Sequence, residues 1–345
     1  MVATNNHTKA EAKEEAKNLI SPKDEMTEVT VTTEDLRVPK SSVVNRHGRS
    51  ASFDRREIVI FSDFDGTIFL QDTGHILFDA HGCGSERRKV LDEQIKSGER
   101  TFREVSEEMW GSLNVPFEDG FEVMKTALDI DPDFREFHQF CVDNKIPFNV
   151  ISAGLKPILR AVLDEFLGKK NSKNIDIISN DAEISRDGSE WKPVWRHNTP
   201  LGHDKAATIK EYRSTASSDS EDDQGPLIVF IGDGVSDLPA AREADVLFAR
   251  KGLRLEEYCL EHRLPYIPFE TFKDIQKDVT RIMAEDTHSK KSTGKAKYHN
   301  PRANFWRRMS SKQMVPMVIA RTPVEERMYY WPEFSSVPRN ATAIR

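Results

Sequence analysis

Five short apolar runs lie along the middle of the chain, separated by longer amphipathic stretches. Apolar runs of four or five residues are typical of strands buried on both faces, and their alternation with helical patterns predicts an α/β fold with a doubly wound parallel sheet. A further apolar piece, Pro265–Pro268, is expected at an edge of this sheet. The five predicted strands are Ile58–Phe61, Pro147–Ile151, Ile175–Ile178, Leu227–Ile231 and Val246–Ala249.

The residues between the first two strands have a helical period. Phe102, Val105 and Met109 recur at helical spacing, and Lys- and Glu-rich stretches typical of solvated faces lie around them. This pattern predicts an all-helical cap, inserted directly after the first strand at residues 71–130. Outside this segment, helices are predicted from Asp131-Pro132 to about Asn144, over Lys156–Leu167 and over Lys205–Tyr212, and Asp187-Gly188 is typical of a hairpin turn.

The polar residues are concentrated at the two ends of the chain. Residues 1–54 are predicted to be disordered apart from a weak helix at Lys9–Leu19, and residues 285–345 form a mostly disordered tail. The α/β core is therefore expected to comprise residues 55–70 and 131–284. Within it, the acidic and Ser-rich stretch Ser214–Gly225 predicts a mobile loop.

Composition narrows the class of protein. The chain has 345 residues and a net charge of −7, which disfavours a general nucleic-acid binder. No apolar run approaches the roughly 20 residues that span a bilayer, so no membrane segment is expected. The N-terminus lacks the apolar segment of a signal peptide. The three cysteines are widely spaced and include no C-x-x-C pair, which favours reduced thiols and a cytoplasmic protein, with the nucleus as the alternative compartment.

Polar residues follow three of the predicted strands and precede the fourth. Because the carboxyl ends of parallel strands meet at one edge of a sheet, we expect these side chains to lie together. Gly66 allows a sharp turn after the first strand. The residues concerned are Asp63 and Asp65 after the first strand, Ser152 after the second, Lys205 before the fourth, and Asp233 and Asp237 after the fourth.

Four carboxylates at one sheet edge repel each other strongly, and one lysine does not compensate them. A divalent cation would, and an all-oxygen ligand set favours Mg²⁺ over zinc. The expected ligands are Asp63, the backbone carbonyl of Asp65, and Asp233. Asp237 is expected to help hold the metal directly or through water.

The same residues predict phosphoryl-transfer chemistry. Asp63 is the expected nucleophile, forming an aspartyl-phosphate, and Asp65 the expected general acid and base. The metal would neutralise charge on the transferring group. Phosphate oxygens are expected to bind Thr67, Ser152, the backbone amides near Ala153 and Gly154, and Lys205.

These four segments resemble the four signature motifs of the haloacid dehalogenase superfamily of phosphohydrolases. They are D-F-D-G-T at 63–67, the serine of I-S-A-G at 152, Lys205 in G-H-D-K, and G-D-G-V-S-D at 232–237. The likeness runs from about Ile58 to Ile275, and the helical insertion is similar to the lid of the phosphoserine-phosphatase-like branch. A closer likeness, carried also by S-A-G-L-K-P-I, is to fungal polyol phosphate phosphatases. It implies Mg-dependent release of phosphate from small sugar-alcohol or sugar phosphates.

Substrate choice is less clearly patterned. Counted from Phe102, the place of the lid arginine of phosphoserine phosphatases holds Met109, and Asp72 stands roughly where their substrate-binding glutamate does. Gln71 and Asp72 are the expected specificity contacts, because they directly follow the catalytic turn. The alternatives are a phosphatase for phosphoserine or for a methylthio-ketose phosphate, a phosphomutase, or a catalytically idle scaffold that acts through its tails. The expected partner is a small phosphorylated metabolite, and any protein partner of the tails is open.

Overall fold

A computed structural model of the protein describes residues 56–219 and 225–293. Within them, all the predicted strands form and join one seven-stranded sheet in the order β4-β3-β2-β1-β5-β6-β7. Every neighbouring pair is parallel except β3 and β4, which form the predicted hairpin. The predicted α/β fold class is thus confirmed. The strands are β1 Ile58–Ser62, β2 Phe148–Leu155, β3 Ile175–Ile184, β4 Trp191–Val194, β5 Leu227–Gly232, β6 Val246–Arg250 and β7 Ile267–Phe269.

The central strand β1 is buried on both faces, which explains its continuous apolar sequence. Its Ile58 and Ile60 side chains pack into one core cluster, whereas Val59 and Phe61 pack into a second cluster on the opposite face. The parallel register places Ser62 opposite Ile231 of β5. Since β1 and β5 end at the same level, the acidic residues that follow both strands reach the same edge of the sheet.

Helices cover both faces of the sheet and fill the segment between β1 and β2. The first four helices lie within residues 71–130, so the predicted helical insertion is confirmed, while its boundaries as a separate domain stay a prediction. In this insertion Phe78 and Trp110 pack edge to face, with ring centroids 4.6 Å apart. The helices are α1 Thr73–His81, α2 Gly84–Lys96, α3 Phe102–Gly111, α4 Phe117–Ala127, α5 Phe134–Asp143, α6 Lys156–Leu167, α7 Lys169–Ser172, α8 Lys205–Asp219, α9 Leu238–Glu243, α10 Arg254–Glu261 and α11 Phe272–Thr293.

Two predicted helix boundaries are wrong. The helix expected from Asp131-Pro132 begins at Phe134, and the buried Asp131 carboxylate is shared between the Asp133 amide, at 3.1 Å, and Arg250. Helix α8 continues to Asp219, into the predicted mobile loop. There the hydroxyls of Ser214 and Thr215 donate to the Glu211 carbonyl, so these polar side chains have partners inside the helix.

The end of the core as a domain, predicted at residue 284, stays a prediction. Helix α11 runs to Thr293, and it is anchored by Ile275 and Val279, which are fully buried. Three predicted features lie outside the described residues: the disordered segment 1–54 with the weak helix Lys9–Leu19, residues 220–224 of the acidic loop, and residues 294–345 of the tail. Among the described helices, none combines the length and the apolar character needed to cross a bilayer.

Candidate active site

The turn after β1 presents two carboxylates on the same side. The Asp63 amide donates to the Ile231 carbonyl at 2.8 Å, which continues the β1–β5 pairing by one residue. Phe64 turns away and is fully buried against Phe69, with ring centroids 4.8 Å apart. Gly66 then has φ +76°, a left-handed conformation that suits glycine. Strand alternation and this turn bring Asp63 and Asp65 to the sheet edge, as expected.

Lys205 lies buried between two carboxylates at this edge. Its Nζ is 2.8 Å from Asp63 Oδ1 and 2.7 Å from Asp237 Oδ1. Burial acts to lower the pKa of Lys205, but the charges of Asp237 and Asp63 outweigh it and raise the pKa above its usual value. Lys205 is therefore a permanent cation that holds these two carboxylates together.

One cation does not compensate the acidic cluster. Burial and the charge of Asp237 raise the pKa of Asp63 well above its usual value, although Lys205 opposes the shift. Burial and the same Asp237 charge raise the pKa of Asp233 to about 7. The electrostatic imbalance inferred from the sequence is thus present in the folded protein.

The strand-end loop of β5 is fixed by Asp237. Its Oδ2 accepts hydrogen bonds from the amides of Asp233, at 3.0 Å, and Gly234, at 3.1 Å. The Asp233 carboxylate then meets the β1 turn, where it accepts a hydrogen bond from the Thr67 hydroxyl at 2.7 Å. A Cβ on Gly66 would lie 2.6 Å from Asp233 Cγ, so this close approach requires glycine.

Three of these acids could hold a metal ion. One carboxylate oxygen from each of Asp63, Asp233 and Asp237 lies within 4.8 Å of the other two. The donor set consists of carboxylate oxygens, which fits a hard divalent cation. Both oxygens of Asp237 already accept hydrogen bonds. Asp237 is therefore better placed to orient the other ligands than to coordinate the ion directly.

The second carboxylate of the turn faces the helical insertion. Asp65 Oδ1 accepts a hydrogen bond from the Thr73 amide, at the start of α1, at 2.8 Å. Burial, followed by the nearby charge of Asp72, raises the pKa of Asp65 to about 8. A carboxyl group that keeps its proton near neutral pH is suited to act as a general acid.

Ser152, Ala153 and Gly154 lie in the last part of β2, where its pairing with β3 shifts register between Ile151 and Leu155, and they form an irregular loop within the strand. The Ser152 hydroxyl accepts a hydrogen bond from the Gly154 amide at 2.9 Å and is almost fully buried. The loop is held from behind by His203 and Asn180. His203 Nδ1 donates to the Ser152 carbonyl at 2.6 Å, and Asn180 Nδ2 donates to the Ala153 carbonyl at 2.8 Å.

The sequence reasoning missed both supporting residues. Burial lowers the pKa of His203 to about 3, so its ring is neutral, and Nε2 accepts from the Thr208 hydroxyl at 3.0 Å. His203 stands two residues before Lys205, so its closeness to a predicted site residue could have identified it as a candidate. Asn180 gave no comparable signal, because its partners lie 27 and 16 residues away along the chain.

The two predicted specificity residues both have protein partners. Gln71 Nε2 donates to Asp129 Oδ2 at 2.8 Å, and Gln71 Oε1 accepts from the Asp129 amide at 2.7 Å. Asp72 caps α1 through the His75 amide at 2.8 Å. Gln71 therefore joins the two chain segments that connect the insertion to the core, and a substrate contact by either residue stays a prediction.

A second attachment joins the insertion to the loop that leads to Lys205. Arg103 of α3 donates to Asn198 Oδ1 at 3.0 Å and lies over the Trp195 ring, 5.5 Å from its centroid. The Trp195 indole in turn donates to Glu107 Oε1 at 2.8 Å. This loop thus attaches α3 at a second place, separate from the connecting segments.

Comparison with known proteins agrees with this geometry. The family model for haloacid dehalogenase-like hydrolases matches residues 60–242. The chain is 38% identical to Pdp3-interacting factor 1 of Schizosaccharomyces pombe and 36% identical to the polyol phosphate phosphatase PYP1 of Saccharomyces cerevisiae. Each match covers 66% of this chain, and 97% and 94% of the respective relative.

Bacterial relatives and solved structures also match. A 2-hydroxy-3-keto-5-methylthiopentenyl-1-phosphate phosphatase of Bacillus cytotoxicus is 30% identical over 66% of this chain and 97% of its own length. A solved phosphoserine phosphatase with a phospho-aspartyl intermediate analogue is 15% identical, with a TM-score of 0.49 over 65% of this chain and 99% of that one. The chain therefore belongs to the haloacid dehalogenase-like hydrolases, and its sequence-based identification as a phosphatase of that family is confirmed.

Proposed function

We propose that this protein is a Mg²⁺-dependent phosphomonoesterase that releases phosphate from a small polyol or sugar phosphate through an aspartyl-phosphate on Asp63. The observation that carries the proposal is the juxtaposition of a buried nucleophile, a carboxyl group with a raised pKa and a buried lysine at one sheet edge. These groups are Asp63, Asp65 and Lys205.

The first step uses the available oxygen of Asp63. Oδ1 accepts hydrogen bonds from the Phe64 amide, at 2.7 Å, and from Lys205, whereas Oδ2 accepts none from the described residues. Oδ2 attacks phosphorus, and the bond between phosphorus and the ester oxygen breaks. Asp65 gives its proton to that oxygen, so the alcohol leaves neutral.

The second step reverses the role of Asp65. As a carboxylate, it takes a proton from a water molecule that attacks phosphorus. The bond between phosphorus and Asp63 breaks, which restores the Asp63 carboxylate and releases inorganic phosphate. The Lys205 ammonium and the amides of the Ser152–Gly154 loop would bind phosphate oxygens, the Gly154 amide only by giving up its hydrogen bond to the Ser152 hydroxyl. The Thr67 hydroxyl already donates to Asp233, so Thr67 would reach a phosphate oxygen only if that bond is exchanged.

The metal site would be formed by Asp63, the Asp65 carbonyl and Asp233, with Asp237 orienting the loop. Bound there, Mg²⁺ would supply positive charge that stabilises the transferring phosphoryl group. The raised pKa values of Asp63 and Asp233 support this assignment, because these acids ionise together only when a cation compensates them.

The substrate class rests on the likeness to the yeast polyol phosphate phosphatase over nearly its whole length. Methylthio-ketose phosphate is the runner-up, since the bacterial relatives with that name are less similar. A cytoplasmic location and a protein partner for the tails stay predictions.

The test is phosphate release by the purified full-length protein across polyol, sugar, phosphoserine and methylthio-ketose phosphates. We expect the highest kcat/KM with a polyol or sugar phosphate, loss of turnover in EDTA, and recovery with Mg²⁺. Asp63→Asn should abolish turnover. Activity that persists in EDTA would refute the metal assignment, and a strong preference for phosphoserine would refute the substrate class.

The scaffold alternative predicts a different result. A protein that acts only through its tails would keep its role in cells when Asp63 is replaced by asparagine. If the Asp63→Asn variant loses this role completely at normal protein abundance, the scaffold alternative is excluded.

A further inference from the structure

A buried arginine at the end of β6 takes no part in the chemistry above. Arg250 is only 9% exposed, and its guanidinium lies over the Phe269 ring, 4.8 Å from the centroid. A buried charge is costly unless its donors are matched by acceptors. The partners of Arg250 therefore indicate which parts of the fold it stabilises.

Three oxygens accept hydrogen bonds from this guanidinium. Nη2 donates to the Thr67 carbonyl at 2.6 Å and to Asp131 Oδ2 at 2.8 Å, and Nη1 donates to the Glu270 carbonyl at 2.6 Å. Asp131 is fully buried, and its other oxygen accepts from the Phe272 amide at 3.2 Å. The ion pair thus joins β6 and the start of α11 to the turn that follows β1.

Thr67 connects this arginine to the candidate metal site. While the Thr67 carbonyl accepts from Arg250, the Thr67 hydroxyl donates to Asp233 Oδ1. The same turn contains Gly66, whose own backbone offers little rigidity. The Arg250 contact fixes the peptide unit between Thr67 and Ile68, the second one after this glycine.

Asp131 connects the arginine to the helical insertion. The Asp131 amide donates to the Ile68 carbonyl at 2.9 Å, so the two chain segments leading into and out of the insertion pair at this point. Arg250 therefore contacts both segments, one through Thr67 and the other through Asp131. An arginine that served only to neutralise Asp131 would not need the Thr67 carbonyl.

We propose that Arg250 is a positioning residue for the phosphatase reaction, which sets the Thr67–Asp233 geometry of the metal site and fixes the base of the helical insertion. The inference rests on the proposed function. Residues that support metal ligands from behind typically contribute 10- to 100-fold to metal affinity or activity.

The test compares the wild type with two variants. Arg250→Lys keeps a cation beside Asp131 but lacks the fork that reaches three oxygens at once. Arg250→Met combined with Asp131→Asn removes both buried charges and keeps an acceptor for the Phe272 amide. We expect each variant to fold. Calorimetry on the metal-free protein should show Mg²⁺ binding about 10- to 100-fold weaker than in the wild type. The decrease in kcat should be larger than the change in KM.

Arg160→Met is the matched control. Arg160 also donates to two backbone carbonyls, those of Ser172 and Ile175, at 2.7 and 2.8 Å. These carbonyls lie at the amino end of β3, whereas the acidic cluster lies at the carboxyl ends of the strands. We expect Arg160→Met to lower the unfolding midpoint without changing the Kd for Mg²⁺.

The outcomes distinguish the positioning role of Arg250 from the proposed phosphatase function. If both Arg250 variants bind Mg²⁺ as tightly as Arg160→Met and retain kcat, the positioning role is overturned. If the double variant fails to fold, Arg250→Lys alone decides by its Kd for Mg²⁺. A wild-type protein without Mg²⁺-dependent phosphate release would instead refute the proposed function.

Discussion

Replacing Gly66 by alanine tests the geometry of the site most directly. Gly66 has φ +76°, where an L-residue costs roughly 1–2 kcal/mol. The new Cβ would also lie 2.6 Å from Asp233 Cγ and 2.8 Å from Asp233 Oδ1. Ordinary van der Waals contact needs about 3.5–4.0 Å, so the carboxylate must shift by roughly 1 Å.

The two effects have different sizes. The backbone term should lower the free energy of unfolding by about 1–2 kcal/mol. A displacement of about 1 Å in a catalytic group can reduce the rate roughly 100-fold, equivalent to about 2.7 kcal/mol in the activation free energy. We therefore expect Gly66→Ala to remain folded while kcat/KM for phosphate release falls about 100-fold.

Gly98→Ala isolates the steric effect. Gly98 has φ +74°, nearly the same backbone conformation, but an added Cβ would meet no atom within 4 Å. Urea unfolding should give a loss of about 1–2 kcal/mol for Gly98→Ala and at least that loss for Gly66→Ala, and only Gly66→Ala should lose activity. Equal kcat/KM values for the two variants would show that the close approach of Gly66 to Asp233 does not matter for catalysis.

Three further predictions follow from the charges and contacts of the site. In EDTA, the unfolding midpoint in urea should fall as the pH rises from 5 to 8 and should recover with Mg²⁺. Folding raises the pKa of Asp65 to about 8 and that of Asp233 to about 7, so the protonated acids stabilise the folded protein at low pH and this stability is lost as they ionise. A midpoint that rises over this range would contradict the reasoning. Lys205→Met leaves the buried carboxylates of Asp63 and Asp237 without a cation, so without Mg²⁺ the substitution should lower the free energy of unfolding by about 3–5 kcal/mol. An unchanged midpoint in urea would refute this. Arg103→Ala removes one attachment of α3 and should speed amide hydrogen exchange in α3; exchange as slow as in the wild type would show that this attachment does not hold the helix.

The fold was predictable because it is encoded in contiguous residues. The run Ile58–Phe61 is apolar throughout because β1 is covered on both faces, and the spacing of Phe102, Val105 and Met109 reflects one buried side of a helix. Boundaries were less predictable where a tertiary contact competed with local preference. Asp131 is a residue type that favours a helix N-terminus, but one of its carboxylate oxygens pairs with a buried arginine 119 residues away.

The position of the acidic cluster could also be predicted from sequence. Asp63, Asp65 and Asp233 follow strands, and parallel strands deliver their ends to one edge. Local sequence did not reveal which atoms these side chains meet. The Thr67 hydroxyl was expected to bind phosphate, but in the structure it donates to Asp233, 166 residues further along the chain.

The sequence by itself determined the sheet, the helical insertion and the residue types available for chemistry, because periodicity and turn preferences act over a few neighbouring residues. Only the tertiary structure decided that His203 and Asn180 donate to the carbonyls of Ser152 and Ala153, that Gln71 pairs with Asp129, and that Arg250 donates to the Thr67 carbonyl. The physical reason is that a buried polar group must find a partner wherever packing places one, and that partner can come from any part of the chain.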